Sequence, residues 1–220
     1  MTLTLVLPRS RRSDGLEYDP DAACRHLAQA DSQLGDLIAR VGEFTMRPRT
    51  NHSLFAALLR SIVYQQLTGK AAATILGRVV RLSAPRRFPT PRDLLQLPPE
   101  RLREAGLSTA KTAALRDLAA RTLDGTVPSL ASIRRMEDEE VIQRLTLVRG
   151  IGRWTAEMLL IFRLGRPDVL PLADLGVRKG FARVFRKGKL PEPGSMLRRG
   201  EAWRPYRSVA TWYLYRALEL

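Results

Sequence analysis

The sequence predicts an all-α fold of about ten short helices, with room for one short N-terminal strand. Three observations carry this. Apolar residues recur three and four positions apart along most of the chain, the period of a helix with one buried face. These runs follow Ser, Thr or Asp and end at Gly or Pro, the residue types that satisfy a helix start and terminate a helix end. Beyond the β-prone run Leu3-Thr4-Leu5-Val6-Leu7 there is no strand ladder and no internal repeat.

The elements follow in order. Residues 1–16 read as a loosely held arm with a basic tip, Arg9-Ser10-Arg11-Arg12-Ser13. Asp19-Pro20-Asp21 starts the first helix, because Pro20 lacks the N–H that a first turn leaves unpaired anyway. Asp31 leads into Leu34, Leu37, Ile38 and Val41, a second helix ended by Gly42. Residues 45–51 form a basic linker. Ser53 caps a third helix with the stripe Phe55, Leu58, Leu59, Ile62 and Val63, closing on Tyr64-Gln65-Gln66-Leu67. Continuing that helix at ~100° per residue returns Gln66 to the apolar face, either as a core-edge amide or as a side chain offered into a cleft. Thr68-Gly69 starts the next helix, through Ala71, Ile75, Val79 and Val80, and 84–90 is a loop holding Arg86-Arg87.

Short helices are then expected over 91–97, 99–105 and 108–124, the last with Lys111 in its first turn, and one from Ser129 through Ile133. Asp138 to Leu145 and Arg153 to Leu164 flank a glycine turn. Asp168-Val169-Leu170-Pro171 is extended, since proline disfavours helical backbone in the residue before it. Asp174 stands at the cap or first turn of a helix from Leu175 to Phe185. Arg186-Lys187-Gly188-Lys189 is a basic loop, and Trp203-Arg204-Pro205 leads into an aromatic helix with Tyr206, Trp212, Tyr213 and Tyr215.

Composition narrows the class. A 220-residue chain that is 45% hydrophobic can bury a sizeable core. Its 37 Lys and Arg against 22 Asp and Glu give a net charge of +15, mostly from arginine. That balance points to a polyanion, with nucleic acid first; a solubilising surface is the plainer alternative. A membrane surface is disfavoured by the lack of a basic amphipathic helix, a lipidation motif or a long apolar stretch. The single cysteine, Cys24, rules out intrachain disulfides, four-cysteine zinc sites and iron–sulfur clusters. With only His26 and His52 besides, no protein-liganded transition metal is expected. The run at Leu3–Leu7 is too short for a signal sequence, so the expected setting is the cytoplasm, in a bacterium the nucleoid.

The stretch Leu147-Val148-Arg149-Gly150-Ile151-Gly152-Arg153-Trp154-Thr155-Ala156 reads as a helix end, a tight turn and a new helix. A helix start presents unpaired N–H groups and the positive end of its dipole, a ready anion site; the competing reading is an ordinary interhelical turn. A DNA phosphate is the anion that the basic composition suggests.

This stretch, followed by Asp168-Val169-Leu170-Pro171 and by Asp174 twenty positions after Trp154, resembles the helix-hairpin-helix (HhH-GPD) DNA glycosylase superfamily, in its 3-methyladenine DNA glycosylase II branch. Supporting matches are Ile62-Val63-Tyr64-Gln65-Gln66-Leu67-Thr68 with Lys70-Ala71-Ala72, Gly106-Leu107-Ser108 with Lys111, and Trp203-Arg204-Pro205-Tyr206-Arg207-Ser208. The resemblance implies a two-lobed helical fold with the active site in the interlobe cleft. Residues 1–48 would pack with a C-terminal segment, 166–220, and 49–165 would form the helical domain that contains the hairpin. The β-rich N-terminal domain of some members is expected to be absent or reduced.

It also implies roles. Arg149, Gly150, Ile151, Gly152, Arg153 and Thr155 would hold a DNA phosphate, and Gln66 or Leu67 would wedge into the gap left by a flipped base. The carbonyls of Thr146, Val148 and Gly150 would be where relatives hold a structural monovalent cation, although nothing in this sequence demands one and no cofactor is required. Asp174 would stabilise the oxocarbenium-like sugar and orient or deprotonate water. Trp154 occupies the place of the Schiff-base lysine of endonuclease III-like members, so base release without strand cutting is expected. Lys179, the only nearby lysine, is turned ~140° from Asp174 around a helix axis. An electron-rich Trp154 face suits a cationic alkylated base. Tyr64, Met158, Tyr215 and Trp212 would complete the pocket, Met158 standing where relatives often carry an aromatic. The expected partner is double-stranded DNA with damaged bases; no membrane and no obligate protein partner is expected, and the state is monomeric. Two rival functions remain: a glycosylase for neutral lesions, and a non-catalytic hairpin DNA-binding protein.

Overall fold

The computed structural model describes residues 15–48, 53–83, 88–185 and 189–220. The readings made for the N-terminal strand and basic tip, the end of the 45–51 linker, Arg86-Arg87 and Arg186-Lys187-Gly188 fall outside these. The described residues contain thirteen α-helices and no strand, where about ten helices were expected. No described helix is long and apolar enough to cross a membrane. The chain divides into two compact units, Arg49–Arg163 and Met1–Pro48 with Leu164–Leu220.

In the first of these units the helices are α3 (Leu54–Tyr64), α4 (Gly69–Arg81), α5 (Pro91–Gln96), α6 (Pro99–Glu104), α7 (Thr109–Leu123), α8 (Leu130–Ile133), α9 (Asp138–Thr146) and α10 (Arg153–Leu159). Their starts follow the sequence closely. Ser53, Thr68, Ser108 and Ser129 each accept a backbone N–H from the first turn they cap. The core forms around α3, which buries Leu54, Phe55, Ala56, Leu58, Leu59, Ile62 and Val63 and packs on α7 and α4. On α7, Leu115 and Leu118 are wholly buried, and Arg116 Nη1 donates to the Leu97 carbonyl at the end of α5, 2.9 Å away.

Two expectations are corrected in this unit. The helix from Arg153 does not run unbroken to Leu164; it passes at Leu160 into a π-helical segment, Leu160–Leu164. The wider turn lets Leu160, Ile161 and Leu164 all be buried. Helix α3 stops at Tyr64, so Gln66 does not return to its apolar face. Gln66 instead takes a left-handed backbone, φ 55°, and is exposed.

The other unit holds α1 (Pro20–Ala30), α2 (Ser32–Val41), α11 (Leu175–Phe185), α12 (Pro193–Gly200) and α13 (Arg207–Arg216). Helix α12 was not foreseen in the sequence; it starts at Pro193, and proline is tolerated in a first turn. The matched segment Trp203 to Ser208 proves to be a set of anchors. Trp203 is wholly buried and donates its indole N–H to Asp31 Oδ2 at 3.0 Å. Arg204 and Arg207 both bind the Asp168 carboxylate at 2.6 Å, and Ser208 Oγ accepts the Val169 N–H at 3.0 Å. The extended strand-like segment before Asp174 is thereby fixed to the start of α13.

Asp31 also caps α2 and receives Arg199 through two bonds, at 2.7 and 2.8 Å. Burial would raise its pKa, but the bonds from Arg199, Trp203 and the Leu34 N–H outweigh burial and lower it. A carboxyl depressed in the folded chain contributes stability above its unfolded pKa of about 3.9, and that stability is lost as pH falls through the folded value. Asp31→Asn is therefore expected to cost about 2 kcal/mol at neutral pH and to flatten the acid limb of stability against pH. Thermal melts between pH 3 and 7 check this; a variant with the native acid limb would show that the pair does not contribute it.

Candidate active site

The hairpin is built by α9, a turn and α10. In the turn the Val148 carbonyl accepts the Ile151 N–H at 3.0 Å, and Gly150 takes φ 79°, a conformation that L side chains rarely adopt. Ile151 is buried and pins the turn to the core. The Arg149 N–H donates to Asp117 Oδ2 on α7 at 2.7 Å. Helix α10 starts at Gly152 with no side-chain cap, and Gly152 and Arg153 are exposed. An uncapped, exposed helix start leaves its N–H groups to solvent or to an anion.

The side chains differ from expectation. Arg153 is not a spare cation: it forms a two-bond pair with Glu139, at 2.9 and 2.8 Å, and a further bond to Glu157 at 3.0 Å. The bonds from Arg153 in turn hold the Glu139 carboxyl below its usual range. Arg149 is the exposed arginine of the turn. Thr155 is buried, so its side chain belongs to the packing of the hairpin and not to its mouth. Of the carbonyls named for a monovalent cation, the Gly150 oxygen accepts the Gln65 amide at 2.8 Å and the Val148 oxygen accepts the Ile151 N–H at 3.0 Å, which leaves each a second lone pair. Among the described residues no cluster of His, Cys, Asp or Glu could hold a metal ion.

Trp154, on the first turn of α10, is 46% exposed. Met158 lies one turn on, half-buried on the same face of the helix. Tyr64 ends α3 half-buried, with the Arg60 guanidinium 4.1 Å from its ring centre. One face of that ring therefore already carries a cation, which weakens its expected role as a wall for a charged base. Gln66 and Leu67 stand exposed in the turn after α3, Leu67 at 39%.

In the other unit Asp174 caps α11. Its Oδ1 accepts the Val177 N–H at 2.8 Å, and the residue is only 7% exposed. Tyr215, half-buried on α13, reaches the same place. A methyl group added at Gly176 would lie 2.7 Å from Tyr215 Cε1 and 3.1 Å from Asp174 Oδ1. The bare glycine is what lets the ring edge and the carboxylate converge, a role the sequence did not reveal because glycine in a helix has no signature of its own. Trp212 belongs elsewhere. Half-buried, it packs edge-on against Phe44 and Tyr213, with ring centres 4.9 and 4.8 Å apart, and with Arg216 over its ring, so its faces are taken up by neighbours within this unit. Lys179 is exposed on α11.

Comparison with known proteins places this geometry. Residues 59–205 match the model of the HhH-GPD superfamily base excision DNA repair protein. The chain is 37% identical to DNA-3-methyladenine glycosylase 1 of Schizosaccharomyces pombe over 200 residues, 89% of this chain and 86% of the relative. Its structure is similar to that of the S. pombe 3-methyladenine DNA glycosylase (Mag1) in complex with abasic DNA, with a TM-score of 0.80 and 36% identity over 90% of this chain and 97% of the other. It is also similar to a DNA-3-methyladenine glycosidase from Bacillus halodurans, with a TM-score of 0.82 and 35% identity over 89% of this chain and 88% of the other. An all-helical fold, a glycine hairpin and a capping aspartate at the expected spacing thus occur in one continuous match, and the chain belongs to the HhH-GPD superfamily of base excision DNA repair proteins.

Proposed function

We propose that this protein is a monofunctional DNA glycosylase that hydrolyses the N-glycosidic bond of alkylated bases, of the 3-methyladenine and 7-methylguanine type, in double-stranded DNA. The observation that carries the substrate is Trp154, a 46% exposed indole at the start of the hairpin's second helix; the family resemblance implies that lyase members carry a nucleophilic lysine at that place. The relatives named above as 3-methyladenine glycosylases support the same reading.

The chemistry follows from charge. Alkylation at N3 or N7 makes a purine cationic, and an aromatic face attracts a cation by ~0.5–2 kcal/mol. A cationic base leaves as a neutral molecule, so it needs no general acid. The sugar left behind is oxocarbenium-like, and a carboxylate stabilises that charge and orients the attacking water. Asp174 supplies the carboxylate, and Tyr215 and Gly176 shape its surroundings. Water and a carboxylate suffice, so the reaction calls for no cofactor. The uncapped start of α10, with Arg149 beside it, is the proposed phosphate grip; Gln66 and Leu67 are the proposed wedge. Neither Arg153, paired with two glutamates, nor Trp212, packed edge-on against Phe44 and Tyr213, is part of this reading.

The test is base release from methylated duplex DNA by the purified protein, read by chromatography. 3-Methyladenine and 7-methylguanine are expected products, with no borohydride-trapped covalent complex. Release of neither base would overturn the proposal. Trp154→Ala is expected to slow release of cationic bases by about 2- to 30-fold, the cation–π range above, while sparing any release of uracil or hypoxanthine. Equal loss on neutral bases would favour the neutral-lesion reading.

A further inference from the structure

We propose that Lys111 is the positioning residue of the wedge turn: it holds Gln66 and Leu67 in a preset outward conformation, and Gln65 ties that turn to the glycine hairpin. The inference rests on reading the protein as a glycosylase whose wedge is Gln66-Leu67. The last carbonyls of a helix lack intrahelical partners. At the end of α3 two carbonyls, of Val63 and Gln65, converge on one ammonium, Lys111 Nζ, at 2.8 and 2.6 Å. A cation at a helix C-terminus meets both the helix dipole and charge-assisted bonds. Lys111 is itself placed by the first turn of α7, where its N–H donates to Ser108 Oγ at 3.2 Å.

Chain stopped in this way must turn at once. Gln66 does so with φ 55°, and it is the only residue other than glycine with positive φ among those described. That conformation is unfavourable for a non-glycine residue, so it persists only where neighbouring bonds enforce it. The second tie is the Gln65 amide on the Gly150 oxygen, 2.8 Å. The hairpin in turn is bonded to α7 through Asp117 and the Arg149 N–H. Helix α7 is thus the common base on which wedge and hairpin are registered, with Lys111 serving one and Asp117 the other. A preset wedge needs no ordering at the moment a base leaves the stack, so the benefit falls on flipping and not on phosphate binding.

The experiment compares Lys111→Met, Lys111→Arg and Gln65→Ala, each alone and in a Gln66→Ala/Leu67→Ala background. The readouts are single-turnover release of 7-methylguanine, affinity for undamaged duplex, and fluorescence of a 2-aminopurine placed beside the lesion. Lys111→Met is expected to slow release and the fluorescence step at least tenfold, in line with ~10²-fold losses from ångström misplacements, with duplex affinity little changed. Lys111→Arg should recover part of the loss, and neither Lys111→Met nor Gln65→Ala should add to the defect of the wedge-less background. If Lys111→Met releases base at the native rate while the wedge-less variant is impaired, this proposal alone is overturned. An equal loss from Lys111→Met in both backgrounds overturns it too, because the lysine then acts through the fold. A wedge-less variant that flips normally overturns the wedge reading and this proposal with it. Gln65→Ala, which leaves the α3 carbonyls untouched, keeps the test open if Lys111→Met fails to fold.

Discussion

Asp174→Asn is expected to lower base release by about 10²–10⁴-fold while DNA affinity stays near native. The substitution is chosen for what it preserves. Asparagine caps helices about as well as aspartate, and its carbonyl oxygen can still accept the Val177 N–H that Asp174 Oδ1 accepts at 2.8 Å. Helix α11 therefore keeps its start, and the packing around a nearly buried side chain keeps its shape. Only the negative charge is lost, and in the proposed reaction that charge is what faces the positive sugar in the transition state. The measurement is single-turnover release from methylated duplex beside a gel-shift titration with the same DNA. A variant as active as the native protein would mean that Asp174 is only a cap, and the non-catalytic DNA-binding reading would then gain ground.

The largest stability effect is expected from Gly180→Ala. A Cβ at this position would overlap the Leu214 carbonyl oxygen and lie 2.7 Å from its carbon. Both belong to the backbone of α13, so no side chain can rotate away and the two helices must separate. Overpacking of this kind costs about 1–3 kcal/mol, at the upper end where backbone is involved. At about 2–4 °C per kcal/mol for a chain of this size, Tm should fall by roughly 6–12 °C. Activity should fall as well in the protein that remains folded, because α11 carries Asp174 and Gly176 while α13 carries Tyr215. A Tm within 1–2 °C of native, well short of the shift expected for ~3 kcal/mol, would show that the crossing can relax.

The parts of this protein that were legible in its sequence are those closed by near neighbours. Asp19, Ser53, Thr68, Ser108 and Ser129 each bond a backbone N–H two or three residues on, so residue type and position were enough to start five helices. The hairpin was legible for the same reason, since Gly150 supplies its own φ. So was the preference for a polyanion, because net charge is a sum and needs no fold. Asp174 and Trp154 were singled out by the resemblance to the glycosylase family and not by local chemistry, since a capping aspartate and an exposed tryptophan in a first turn say nothing of catalysis by themselves.

Tertiary structure decided what depends on which helices dock. Helical stepping carried Gln66 to the apolar face, but a lysine from α7 ends the helix two residues earlier and turns Gln66 outward. Arg153 had the charge for a phosphate, yet Glu139 and Glu157 reach it first. Trp212 had the chemistry of a pocket wall and lies against Phe44. Gly176 and Gly180 carried no signal at all: their function is the space they leave for Tyr215 and for the backbone of Leu214, and that space exists only once α11 and α13 are packed.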